Sequence, residues 1–366
     1  MRLVGVDLFT ASLPPARGFP PLPGSIPTRE AVLVRLTTET GLAGWGEARG
    51  DPGDVSGETP AGMVATLRDR LGPLVLGRSL GERAALLERV DRTLCGNGAA
   101  KAALDIALHD LAARAVGVPL LGWLGGRRRP EVEGAACLGD RAVQAAGAEA
   151  RAHVARGFRV LRVRVGLGPF ERDVARIRVV REAVGDGVRL AVEANQAWTV
   201  KQAIARIRVL EPFGLECVEQ PVAARDVLGM AEVARSVGVR LGADESLASL
   251  EDAMALIRLG AAAMFRITLA RVGGLRAAFR IIALAEAARV PYVVGQAHGG
   301  LATVAAAHLA LASAPQHAAL GGADGTAADP TPSRVHQGGQ VVVPEGPGLG
   351  VAPDEAKLHP VGRLSV

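Results

Sequence analysis

Short apolar runs rich in β-branched residues alternate with helical patterns over the second two-thirds of the chain. The strand patterns are Val132 to Leu138, Val160 to Val165, Leu190 to Ala194, Cys217 to Glu219, Arg240 to Ala243, Ala262 to Ile267 and Pro291 to Gly295, with a weaker eighth around Ala318 to Ala323. Between them, apolar positions recur at helical spacing over Val174 to Val184, Lys201 to Leu210, Leu228 to Ser236, Leu250 to Leu259 and Leu275 to Ala288. Repeated strand–helix units imply a parallel sheet, and seven or eight of them close into a (β/α)7–8 TIM-type barrel.

The first 50 residues are patterned differently. Leu3 to Thr10, Ala31 to Thr38 and Gly44 to Ala48 read as antiparallel strands, with a Pro/Gly-rich loop from Leu13 to Pro27 and a turn at Thr38 to Gly41. Helical spacing follows the Gly50 to Gly62 loop, through Ala84, Leu86, Leu87 and Val90 and then from Ala103 to Ala115. This makes an α+β domain ending near Gly125-Gly126.

No Asp, Glu, Lys or Arg occurs from Val290 to Ala323, so this stretch is tested as a membrane span. Its most helical part, Leu301 to Ser313, is too short to cross a bilayer, and Pro291, His298, His308 and Pro315 interrupt the run. It reads as a buried strand followed by a core-facing helix. The N-terminal run, with Asp7 inside it, reads as a first strand rather than a signal peptide.

At 366 residues and 49% hydrophobic content the chain has ample core without disulfides. A net charge of +5, with Arg127 to Arg129 as the densest basic run and 3% aromatics, argues against nucleic-acid binding. Cys95, Cys137 and Cys217 are odd in number and lack metal-ligand spacing, which suits buried thiols in a reducing cytoplasm. Of the 42 basic residues only Lys101, Lys201 and Lys357 are lysines, which confines lysine chemistry to three places.

Polar residues stand at or just past the strand ends: Arg164, Glu193, Glu219, Asp244, Thr268, His298 and Asp324, spaced 24 to 30 positions apart. One strand, helix and return loop fills each gap, so a barrel brings them to its C-terminal rim, where active sites of this fold lie. Three carboxylates on adjacent strand ends repel one another unless a cation is present. Oxygen-only ligation suits Mg²⁺, with Mn²⁺ as an alternative. Singly, each carboxylate would also serve to cap the following helix; three in succession favour a metal at Glu193, Glu219 and Asp244.

The ordered series GLAGWGEA (Gly41 to Ala48), AALDIALHDLAARAVGVPLLGWLGG (Ala102 to Gly126), VEANQAW, VEQPV, ADES, LARVGGL and PEGPGLGV resembles the enolase superfamily, specifically its mandelate racemase and muconate lactonizing enzyme group. The resemblance implies an α+β capping domain (1–128), a barrel with the metal site (129–325) and a C-terminal segment (326–366) that returns to the capping domain. It also implies a homo-oligomer and a small carboxylate substrate. The expected chemistry is abstraction of the proton α to the carboxylate, giving an enediolate stabilised by the metal, in a lyase or isomerase such as a dehydratase or cycloisomerase. The family usually has aspartate where this chain has Glu193.

The resemblance further implies lysine bases ending barrel strands two and six. Arg162-Val163-Arg164 and Thr268 stand there instead. Guanidinium stays protonated to about pH 12 and is a poor base, so both arginines are expected to clamp a substrate carboxylate or pair with the rim acids. Both point to the same side of their strand because they are two apart. His298 is then the candidate acid–base group. Asn195, Thr268 and Asp324 are candidate substrate contacts, and the loops Ala16 to Gly24 and Gly41 to Gly57 are expected over the barrel mouth. A second expectation is a catalytically silent or atypical relative that binds a carboxylate ligand.

Overall fold

The computed structural model describes residues 1–13, 30–50, 57–139, 142–295, 300–315, 320, 329–331 and 334–366. Strands β1 (Leu3–Ser12), β2 (Glu30–Thr38) and β3 (Ala43–Arg49) form an antiparallel meander. Helices α1 (Pro60–Thr66) and α2 (Gly72–Val75) flank a π-helical turn, and α3 (Arg83–Thr93), α4 (Gly98–Ala115) and α5 (Leu120–Trp123) follow. Helix α4 packs against β3 and β2, and its Leu104, Leu108 and Leu111 share one core with Val6, Val34 and Leu36. The glycines of GLAGWGEA make this close approach possible: a Cβ on Gly46 would stand 2.0 Å from the carbonyl oxygen of Ala103.

Seven parallel strands form the barrel wall in chain order: β4 (Ala135–Leu138), β5 (Val160–Arg164), β6 (Arg189–Glu193), β7 (Leu215–Glu219), β8 (Leu241–Ala243), β9 (Met264–Ile267) and β10 (Tyr292–Val294). The helices that cover them are α6 (Val143–Ala155), α7 (Phe170–Val184), α8 (Val200–Leu210), α9 (Val227–Ser236), α10 (Leu250–Leu259), the short α11 (Leu269–Val272), α12 (Leu275–Ala287) and α13 (Gly300–Ala312). Every residue of α13 is buried, which explains the uncharged stretch from Val290: the helix packs against both the barrel and the capping sheet. Among the described residues no helix is long and apolar enough to cross a membrane.

A small hairpin, β11 (His336–Gln337) with β12 (Gln340–Val341), pairs with the segment before β4: Val341 N donates to Val132 O and Gly134 N to Gly339 O. The barrel strand therefore starts at Ala135 rather than at Val132, because the preceding backbone is already bonded. Strand β13 (His359–Ser365) adds antiparallel to β1, so the C-terminal segment completes the capping sheet. The eighth strand pattern lies outside the described residues except for Leu320, whose N–H donates to Val294 O. Cys137 and Cys217 are buried, but Cys95 is exposed, which corrects the expectation of three buried thiols. Cys95 sits at the surface in the loop leaving α3.

The capping domain docks through carboxylates placed at the N-termini of barrel helices. Asp105 on α4 accepts from Leu275 N (2.6 Å) at the start of α12. Glu47 on β3 accepts from Leu301 N (2.7 Å) and Ala302 N (3.4 Å) at the start of α13. Free helical N–H groups and the positive helix end make these favourable partners for an acid.

Burial, then the nearby Asp329 carboxylate, pushes the Glu47 carboxyl up from 4.5 to about 8. A folded-state value above the unfolded one means the folded chain holds a proton that the unfolded chain has lost. This contribution is fully present below about pH 4.5 and declines as pH rises towards 8. Denaturant titrations across that window are expected to show wild-type stability falling by up to about 1.4 kcal/mol per pH unit from this group, and Glu47→Gln with a flatter profile. Equal slopes in the two proteins would contradict the assignment.

Candidate active site at the barrel mouth

Strands β6 and β7 end in Glu193 and Glu219, which are direct register partners, and Asp244 follows the end of the adjacent β8. The register stacks the strand ends level, so three acids meet. Their side chains are buried, and one oxygen from each lies within 4.8 Å of the others. None of them is needed as a helix cap. Thr199 caps α8 through a capping box with Gln202, Asp226 caps α9 and Ser249 caps α10. Three clustered carboxylate oxygens are the donor set that a hard divalent cation takes, so the residues fit Mg²⁺ or Mn²⁺.

Arginines neutralise the cluster from three directions. Arg162 Nη1 lies 2.9 Å from Glu193 Oε2 and 2.5 Å from Glu219 Oε1, while its Nε meets Cys137 Sγ at 3.2 Å. Arg266 on β9 brings Nε to 2.6 Å from Glu219 Oε1, and Arg271 on α11 pairs with Asp244. Burial acts to raise the Glu219 carboxyl, but the Arg162 and Arg266 guanidiniums prevail and hold it at about 2. Glu193 goes the other way: burial, then the charge of Glu219 beside it, pushes its carboxyl well above the usual range.

Around this centre runs an amide ring. Arg164 Nε donates to Asn195 Oδ1 (2.9 Å), and Asn195 donates in turn from Nδ2 to Glu245 Oε1 (3.0 Å) and from its backbone N–H to Glu193 Oε1 (2.8 Å). Thr268 Oγ1 lies 3.4 Å from Asp244 Oδ1. The structure thus gathers Arg162, Arg164, Glu193, Asn195, Glu219, Asp244 and Thr268 at one end of the sheet. Both arginines of the Arg-Val-Arg run pair with rim groups. His298, Asp324, the loop Ala16 to Gly24 and residues 51–56 lie outside the described residues.

Gln220, Glu245, Arg266 and Arg271 were not among the sequence candidates. Arg266 carries a readable signal, since it stands two before Thr268 and so shares its inward face on β9. Gln220 joins β7 to the turn after β8. Its Oε1 accepts from Asp244 N and Ser246 N, each at 3.0 Å, and its Nε2 donates to Ser246 Oγ (2.7 Å) and Val222 O (3.0 Å). Asn195 (φ 42°), Gln196 (φ 66°) and Gln220 (φ 37°) hold left-handed backbone conformations without being glycine. Such strain persists only where side-chain bonds overdetermine the turn, as the Gln220 amide does here.

Gln220 is completely buried. Gln220→Ala is expected to cost about 2–4 kcal/mol, from orphaned backbone donors and the cavity left behind, as measured by urea denaturation. A loss below about 1 kcal/mol would show that the turn after β8 holds itself.

A model described as "Mandelate racemase / muconate lactonizing enzyme, N-terminal domain" matches residues 13–125, and "Enolase C-terminal domain-like" matches residues 145–357. The chain is 33% identical to an L-Ala-D/L-Glu epimerase of Bacillus subtilis over 85% of each protein. It is 33% identical to muconate cycloisomerase 1 of Pseudomonas putida over 77% of this chain and 76% of the relative. The crystal structure of a dipeptide epimerase from Cytophaga hutchinsonii, complexed with Mg and the dipeptide D-Ala-L-Val, superposes with a TM-score of 0.89 at 30% identity, covering 99% of both chains.

Proposed function

The chain belongs to the mandelate racemase/muconate lactonizing enzyme family of the enolase superfamily, and on that premise we propose that it is a divalent-metal-dependent isomerase of small carboxylate compounds, acting at the carbon α to the carboxylate. The observation that carries this proposal is the cluster of three buried carboxylates at consecutive strand ends. Glu193, Glu219 and Asp244 would hold Mg²⁺, with Mn²⁺ as an alternative. When bound there, the ion would supply positive charge that makes the proton α to a carboxylate easier to remove.

The chain's own residues limit the proton chemistry. The positions where the family's two lysine bases stand are Arg162-Val163-Arg164 and Thr268. Guanidinium does not release its proton at neutral pH, and a threonine hydroxyl is itself a far weaker base than a lysine amine. Arg164, held by Asn195 at the rim, is suited to bidentate capture of a carboxylate. Asn195, Thr268 and Asp324 complete the proposed substrate contacts.

His298, three residues before the α13 backbone that Glu47 binds, is the proposed acid–base group. One base supports cycloisomerisation or elimination of water. Epimerisation, the activity named for several relatives, needs a group on each face of the α carbon.

Two measurements test this proposal. Calorimetric titration with Mg²⁺ is expected to show binding that Glu219→Gln removes; no binding by the wild-type protein, with or without a carboxylate present, would sink the metal assignment. Solvent deuterium is expected to enter the α position of at least one member of a panel of dipeptides and cyclic or unsaturated carboxylic acids. His298→Asn is expected to slow that exchange by about 100-fold or more. Exchange at the wild-type rate in the variant would reject His298, and no exchange in the wild type would favour a relative that only binds carboxylates.

A further inference from the structure

Resting on the metal assignment just made, we propose that Arg162 is a displaceable counter-ion: a divalent cation entering the acidic cluster drives its guanidinium off Glu193 and Glu219, and the released guanidinium then binds the carboxylate of the incoming ligand. Cation and carboxylate ligand therefore load cooperatively.

The geometry sets the two cations in competition. A single nitrogen, Arg162 Nη1, lies within hydrogen-bond distance of both Glu193 and Glu219. A Mg²⁺ ion must approach its carboxylate oxygens to about 2.1 Å. An ion held by these two acids would therefore compete with a positively charged nitrogen already bonded to one oxygen of each. Coulomb repulsion between a dication and a guanidinium so close in a buried site is large, so the two are alternative occupants.

Arg162 is also the arginine best able to leave. Its other contact is Cys137 Sγ, a weak acceptor. Arg176 on the neighbouring α7 is different: its Nη1 donates to Arg164 O at 2.8 Å and its Nη2 to Gly139 O at 2.5 Å, which fixes the fork between two backbone carbonyls. The Arg162 side chain keeps 18% of its surface open, against 6% for Arg266 and Arg271. Its long aliphatic stem allows the head group to swing while the backbone stays in β5. A guanidinium stripped of both carboxylates in a buried site is costly to leave unpaired, so the cation-loaded site has a strong preference for an anion beside Arg162. A ligand carboxylate meets that need with the bidentate geometry the fork is shaped for.

The test uses the full chain, Mg²⁺ and acetate as the probe carboxylate, with chloride at matched ionic strength as the control. In the wild type, acetate is expected to tighten Mg²⁺ binding measured by calorimetry. In Arg162→Gln, folded as judged by circular dichroism, Mg²⁺ is expected to bind about tenfold or more tighter than in the wild type, because no guanidinium has to be displaced, and acetate is expected to lose its effect. An Arg162→Gln protein that binds Mg²⁺ no more tightly than the wild type would overturn the proposal and leave the metal assignment intact. The wild-type experiment decides independently if the variant fails to fold: Mg²⁺ binding indifferent to acetate would likewise overturn it. Absence of Mg²⁺ binding in both proteins would remove the metal assignment and this proposal with it.

Discussion

Three acids buried side by side at the end of a parallel sheet are the constraint to which much of the site answers. Charges of one sign cannot be taken out of water together unless positive charge accompanies them. The chain supplies it from three different elements: Arg162 from β5, Arg266 from β9 and Arg271 from α11. Strand register makes this convergence possible, because Glu193 and Glu219 are level neighbours and the arginines reach inward from either side. The result is a cluster in which Glu219 stays ionised between two guanidiniums while the Glu193 carboxyl beside it is pushed up.

A second set of carboxylates does structural work of a different kind. Glu47 and Asp105 leave the capping domain to satisfy free N–H groups at the starts of α13 and α12. Asp110 instead links β3 to the C-terminal segment, accepting from Trp45 N at 2.8 Å and Leu349 N at 2.7 Å. Glu47 and Asp105 thus tie the cap to the barrel through backbone N–H groups, while Asp110 also pairs with Arg114 and the strand-end cluster is paired with arginines.

The two arginines of the Arg-Val-Arg run shape what this mouth can do. A lysine ammonium can lose its proton when desolvated and become a base; a guanidinium cannot. What guanidinium offers instead is a planar fork that pairs with carboxylates, and both arginines of the Arg-Val-Arg run are engaged with rim groups, Arg162 with acids and Arg164 with the amide of Asn195. Two guanidiniums thus stand at this end of the barrel, and neither can act as a base at neutral pH.

Period and order along the chain determined a great deal. The alternation of apolar runs with helical spacing specified seven barrel strands, and the polar residues ending them named Glu193, Glu219 and Asp244 as a group, since each such residue ends a strand one unit after the last. Gly44 and Gly46 were legible as a motif, but only the packed structure gives their reason, the close passage of α4.

What the sequence left open follows from the same physics. Which charges neutralise the acids depends on distances between strands far apart in the chain. Arg266 reaches Glu219 across 47 positions (266 − 219) and Arg271 reaches Asp244 across 27. The choice between helix cap and site residue also belongs to tertiary structure, because Thr199, Asp226 and Ser249 had to be seen capping α8, α9 and α10 before the strand-end carboxylates were released from that role. Local pattern fixes the face a side chain presents and its distance from a strand end. Its partner is decided only when separate strands close into one sheet and bring their ends to a common level.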